Sequence, residues 1–184
     1  VSYPGLPILP HGVERHPIPG GGSRALAISA GDELSLLNSA GMQIAELVFF
    51  TPDGKSDPAR LGRQAQGAPL GVQQTLAHGG SSGRRVLHAL QAAGFDLGSA
   101  QCTRVFAEGS LAGEMDTLHA QSDGLLIVAA PGEAMNPGEQ NVPTELVLYI
   151  RLASPSELHG IKAPPDPLAD PLQDFNINPG EAFS

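Results

Sequence analysis

One stretch narrows the possible folds more than any other: Gly31 to Gly54, GDELSLLNSAGMQIAELVFFTPDG. Leu34, Leu36 and Leu37 stand in a first apolar run, and Ile44, Leu47, Val48, Phe49 and Phe50 in a second. Between them Asn38-Ser39-Ala40-Gly41 has turn chemistry, because Asn initiates turns and Gly tolerates positive φ. The pattern predicts two strands joined as a hairpin. The second run is apolar on both faces, which is the mark of a strand buried on both sides. It stops at Thr51-Pro52-Asp53-Gly54, another turn signal. A fold built outward from this stretch is mainly β.

The rest of the chain agrees. Gly 23 and Pro 17 in 184 residues, with few long periodic runs, point to short strands and many turns. Arg24–Ile28, Gln101–Ala107 and Leu125–Ala130 read as strands, the last stopped by Pro131-Gly132. In Glu145–Leu152 the side chains Leu146, Leu148, Ile150 and Leu152 alternate with Glu145, Tyr149 and Arg151, the pattern of a half-exposed strand. Ser81–Gly94 is the one clear helix: Ser81 or Ser82 caps its start, Val86, Leu87, Leu90 and Ala93 repeat at helical spacing, and Gly94 stands at the C-terminal cap. Arg84, Arg85, His88 and Gln91 fall on its wet side. Residues 1–23 read as an extended Pro- and Gly-rich lead-in, residues 51–80 as a long surface loop with at most a short helical turn, and 108–115 and 132–143 as further loops. The expected architecture is a β-sandwich or distorted barrel with one packed helix. Residues 1–153 form the domain. Residues 154–184, with Pro155, Pro164, Pro165, Pro167 and Pro171, form a linker. The linker runs into Phe175-Asn176-Ile177-Asn178-Pro179-Gly180, which echoes His16-Pro17-Ile18-Pro19-Gly20, as if a second copy of the same unit begins there.

Charge and motifs exclude more than they assign. A net charge of -9 and a pI near 4.9 argue against nucleic acid and against an anionic membrane surface. No apolar run has membrane-spanning length. Cys102 is the single cysteine, so no intrachain disulfide forms and a reducing, cytoplasmic setting fits. Gly54-Lys55-Ser56 fails as a phosphate loop because Phe49 stands where a Gly is required, and the Gly20–Gly22 triplet leads into a strand rather than a helix. His11, His16, His78, His88, His119 and His159 make no HxH, HxxxH or HExxH arrangement. No G-x-S-x-G elbow occurs, so Ser110 and His119 are merely common residues. Cys102 before a strand is a small core residue more often than a nucleophile. Glu108, Glu114 and Asp116 make a local acidic group for which solvation is the ordinary state, and His119 with Asp123 reads as a solvated rim. No residue is assigned a catalytic, cofactor-binding or metal-binding role.

Several motifs do carry a resemblance. Pro19-Gly20-Gly21-Gly22, Ala30-Gly31-Asp32, Gly41-Met42-Gln43-Ile44-Ala45-Glu46-Leu47 and Ala120-Gln121-Ser122-Asp123 with the following strand resemble the urea-carboxylase-associated domain family over residues 13–153. The helix of residues 78–94 takes the place of that family's H-x-x-C-x-x-N-L helix start. Active members hold a metal through cysteines. Here Ser81 or Ser82 stands at the helix-start cysteine, Ala130 before Pro131 at the later one, and Arg84 or Arg85 at the Asn. The resemblance therefore implies a degenerate copy that keeps the fold. A degenerate copy, a linker and the start of a second copy are similar to the front of chains of the trimethylamine N-oxide demethylase family. Those chains are tandem domains followed by a tetrahydrofolate-binding domain of the aminomethyltransferase type. The resemblance implies an aldolase-like lyase giving dimethylamine and formaldehyde, with zinc or iron in the second copy and folate capture downstream. This segment would then pack against the downstream domains of its own chain, in a homo-oligomer. Two other readings stand beside it: a stand-alone deiminase partner subunit, and a small-ligand binding module.

Overall fold

The computed structural model describes residues 11–106, 109–132 and 142–153. The strands are β1 (Val13–Ile18), β2 (Ser23–Ile28), β3 (Glu33–Asn38), β4 (Ala45–Phe50), β5 (Thr103–Val105), β6 (Glu114–His119), β7 (Gly124–Ala129) and β8 (Leu146–Arg151). The helices are α1 (Leu70–His78) and α2 (Gly80–Ala92), and a 3-10 turn covers Pro58–Leu61. The strands form two antiparallel four-stranded sheets, in the orders β1-β8-β3-β6 and β2-β7-β4-β5. The expected mainly β fold is therefore present as an open sandwich, not a barrel.

The sandwich has a third layer. One apolar core lies between the sheets and includes Ile18, Leu34, Leu36, Leu47, Phe49, Leu126, Val128, Leu148 and Ile150. A second lies on the outer face of the β2-β7-β4-β5 sheet, where Val48, Phe50, Leu125 and Ile127 meet Val72 and Leu76 of α1 and Val86 and Leu90 of α2. Strand β4 thus sends Leu47 and Phe49 into one core and Val48 and Phe50 into the other. This is why its sequence shows no polar alternation, and all six of its residues are buried. Strand β3, with solvent on one face, alternates instead: Leu34, Leu36 and Asn38 are buried, and Glu33, Ser35 and Leu37 only partly so.

The hairpin expected within residues 31–54 does not form. Strand β3 pairs with β6 and β8, whereas β4 pairs with β5 and β7, so residues 39–44 cross from one sheet to the other. Buried side chains override the local turn signal. Asn38 Nδ2 donates to Gln43 O at 3.0 Å and to Ser110 Oγ at 2.8 Å, which fixes the crossing. Gly41 (φ +79) passes so close to residues 110–112 that a Cβ there would lie 2.7 Å from Ala112 N. Met42 follows with φ +58, a left-handed conformation that is unusual for a non-glycine residue.

Three further expectations are corrected. The lead-in contains β1, which tolerates Pro17 because it is an edge strand. Residues 70–78 are helix α1 rather than loop. Glu114 and Asp116 stand on strand β6, not in a loop, and His119 ends the same strand. The predicted helix begins at Gly80 and ends at Ala92, with Gly94 at φ +85 just beyond it. Arg84, Arg85, His88 and Gln91 are exposed as expected. The linker at 154–184, His159, Glu108 and residues 133–141 of the late loop lie outside the described residues.

Candidate functional site

The motif residues fold into ties between chain segments. Asp32 is buried, and its Oδ2 accepts Ser29 N at 2.9 Å while Oδ1 accepts Ala153 N at 3.0 Å. Burial pushes its carboxyl above the ordinary range. The Ser29 and Ala153 amides pull it back down, and Glu14 and Asp123 add to the rise. Gln43 spends its whole amide on backbone: Nε2 donates to Ile44 O at 2.8 Å and Pro131 O at 2.9 Å, and Oε1 accepts Thr144 N at 2.8 Å. Glu46, on β4, is buried and turned toward α1, where Oε1 accepts Val72 N at 2.9 Å. Helix α1 has Pro69 at its N-cap and no side-chain cap of its own, so the carboxylate of a distant strand satisfies its first turn. Arg104 Nε reaches Glu46 Oε2 at 3.3 Å, and Arg104 is held in turn through Gln66, whose O accepts Nη1 at 3.1 Å.

A cleft lies above the β2-β7 edge and beneath the helices. Gly21, Gly22, Ser23 and Ala25 line one wall, Thr75, Leu76, Gly79, Ser82, Gly83 and Val86 the other, with Ile127 between, around about 190 Å³. The wall is so close because Gly83 meets α1 without a side chain: a Cβ there would lie 2.0 Å from Leu76 O. The turn Pro19–Gly22, closed by Gly22 N on Pro19 O at 2.9 Å, forms the opposite lip. The Gly triplet is thus a tight turn, as its place before a strand predicts. None of the lining residues has a titratable side chain. Thr75 already donates its hydroxyl to Val72 O at 2.9 Å. The cleft offers hydroxyls, backbone and methyl groups. It can hold a small molecule by shape and neutral hydrogen bonds, and it brings no general acid, base or charge to a reaction.

The positions that the resemblance matches to metal-binding cysteines do not converge. Ser82 lines the cleft and Ser81 is exposed beside it, whereas Ala130 packs in the core between the sheets, on the other side of the sheet. Neither a hydroxyl nor a methyl replaces a thiolate. Among the described residues, no group of three or more His, Cys, Asp or Glu is placed to hold a metal ion. These residues do not fit a thiolate-bound zinc or iron.

The other candidates are dispersed. His78, His88, His119 and His11 are exposed, and His16 Nε2 faces Glu14 Oε2 at 3.8 Å. Asp123 Oδ1 accepts Ala30 N at 2.8 Å, so it ties the β6–β7 connection to the segment before β3. Ser110 is taken by Asn38. Asp116 pairs with Arg63 Nη2 at 2.6 Å, and Glu114 Oε2 accepts Leu111 N at 3.0 Å. Cys102 is fully buried, its thiol facing Ala68 O at 3.7 Å. Burial and then the Glu46 charge push that thiol up, against the pull of Arg104. It is the core residue that the sequence predicts. Sequence reasoning missed the capping role of Glu46 and the structural role of Gly83. Only an unexplained acidic residue in an apolar strand and a Gly inside a helix marked them.

No protein-family model matches the chain. A solved structure of a DUF1989 family protein from Silicibacter pomeroyi DSS-3 aligns over 84% of each chain with a TM-score of 0.44 and 13% identity. The trimethylamine-oxide aldolase of Ruegeria pomeroyi is 33% identical over 174 residues, which are 95% of this chain. The chain spans 22% of that protein's length. The resemblance read from the Pro-Gly turn, the Ala-Gly-Asp and the Gln43–Glu46 motif is borne out: over nearly all its length, this chain is related to one segment of trimethylamine-oxide aldolase.

Proposed function

We propose that this chain is a non-catalytic structural domain of a multidomain trimethylamine N-oxide demethylase, an aldolase-type lyase releasing dimethylamine and formaldehyde. The observation that carries the reading is the cleft: its lining has no titratable side chain. Support comes from Asp32, Gln43 and Glu46, whose polar atoms are committed to holding backbone segments. Zinc or iron, and tetrahydrofolate for capture of formaldehyde, belong in this reading to other domains of a cytoplasmic homo-oligomer.

The cleft also favours a second reading, a binding module for a small neutral or zwitterionic molecule. One experiment separates the two. The full-length protein carrying Ser82→Ala keeps kcat and KM for formaldehyde release within about twofold if the segment is structural. A loss of more than about tenfold in kcat places chemistry in the cleft and overturns the proposal. A thermal shift with trimethylamine N-oxide or dimethylamine that disappears in Ser82→Phe, with turnover intact, supports the binding module instead.

A further inference from the structure

The charge of this acidic protein is unevenly placed. The chain has 19 Asp and Glu residues, yet none stands between Asp57 and Asp96, the stretch that contains both helices. Its cations are Arg60, Arg63, Arg84 and Arg85. Arg60 and Arg63 are paired, with Asp57 and Asp116. Asp96, just past α2, is taken up by Gly98 N and Ser99 Oγ. Among the described residues Arg84 pairs with no carboxylate.

Helix α2 gathers its charge on one face. Gly83, Val86 and Leu90 are buried toward α1 and the sheet. At about 100° per residue, Ser81, Arg84, Arg85, His88 and Gln91 fall on the opposite face, and all are exposed. Arg84 and His88 are one turn apart and lie side by side.

The sequence after Ala153 has the complementary composition. Glu157, Asp166, Asp170, Asp174 and Glu181 stand there against Lys162. A repeated Asp-Pro-Leu, at Asp166–Leu168 and Asp170–Leu172, followed by Asp174, sets carboxylates four residues apart. This sequence lies outside the described residues, but its point of departure is fixed. Ala153 N is held by Asp32, which also holds Ser29 N just past β2. The last residues of β2, the first of β7 and the last of β4 share one end of their sheet. Helix α2 finishes at that same end, where the Gly94 carbonyl would lie 3.0 Å from a Cβ on Gly54. The chain therefore leaves the sandwich beside the C-terminal end of α2. Residues 154–166 can reach roughly 40 Å when extended, and the 13 residues of α2 are about 20 Å long.

We propose that residues 154–184 form an acidic arm that docks on the Arg84–His88 face of α2, through the carboxylates of Asp166, Asp170 and Asp174. A single exposed ion pair is weak. Several on a tethered arm share an effective concentration on the order of millimolar. Docking through exposed charges also weakens as salt rises. The inference stands apart from the multidomain reading above.

The test uses the full-length protein carrying Arg84→Lys and a zero-length carbodiimide, which joins an amine to a carboxylate in contact with it. Mixed isotopically light and heavy protein separates links within a chain from links between chains. The expected product is an intrachain link from position 84 to Asp166, Asp170 or Asp174. Its yield is at least about fivefold above that of links from the exposed Lys55 to the same carboxylates, and it falls in 0.5 M salt. Equal yields at the two positions, links only between chains, or no link to these residues overturns the proposal. A second measurement is cleavage after Lys162 by a lysine-specific protease. Arg84→Glu with His88→Glu is expected to speed it at least fivefold, and adding Asp170→Arg with Asp174→Arg is expected to restore the slow rate. A rate unchanged by the first pair, or not restored by the second, overturns the docking.

Discussion

Asp32 shows how one residue can be both a tie and a cost. Its carboxylate holds two amides, Ser29 N in its own turn and Ala153 N just after β8, and so fastens the chain after the last described strand to the start of β3. Each such charge-assisted bond contributes roughly 1.5–3 kcal/mol. Burial opposes this by favouring the protonated form, and the folded-state pKa stands above the ordinary 3.8. The folded protein therefore holds this proton at pH values where the unfolded chain has lost it. The contribution of Asp32 to stability is largest below pH 3.8, falls as pH rises through the raised pKa, and is constant above it. Asp32→Asn has no such titration, and it turns an amide N–H against one of the two donors. The variant is expected to be less stable than the wild type, with a difference that shrinks as pH rises from about 3.8. Urea denaturation at a series of pH values checks this, and a difference that grows with pH contradicts it.

At the scale of elements, what is local in the sequence was legible and what is borrowed was not. The apolar runs of β4 and β7 and the 3.6-residue repeat of α2 are written in consecutive residues, and each is found within a few positions of its predicted span. Helix α1 was hidden because Pro69 gives no cap and Gly71 breaks its pattern. Its capping oxygen comes from Glu46, 26 residues away. The hairpin misled for the same reason: Asn38 and Gly41 do make a tight passage, but Ser110, far along the chain, decides where it leads. The cleft was not legible at all, since it depends on how closely α1 and α2 approach. That approach rests on Gly83. In Gly83→Ala the added methyl would collide with the Leu76 carbonyl, and the helices must separate. The expected cost is about 3 kcal/mol, at the upper end of overpacking penalties. A chemical-denaturation midpoint measures it, and a cost below about 0.5 kcal/mol shows that the helical pair yields without resistance.

For the molecule as a whole, the sheet β2-β7-β4-β5 is a wall shared by two cores. Phe49 and Phe50 are neighbours in sequence and belong to different cores. The helical layer therefore cannot leave without exposing the outer faces of β4 and β7, and three layers unfold as one. Cys102, buried in the outer core, reports this directly. Its thiol is expected to react with an alkylating reagent only on global unfolding, with a urea midpoint that coincides with loss of β-sheet circular dichroism. Reaction at lower urea means that the helices detach first. The ties at Asp32, Gln43 and Glu46 bear on a different matter, the descent of enzymes. Their partners are backbone amides and carbonyls, which every sequence supplies, so these letters can persist while the residues around the cleft are replaced one after another. A chain can change around the cleft and keep these ties, and what they carry is a scaffold.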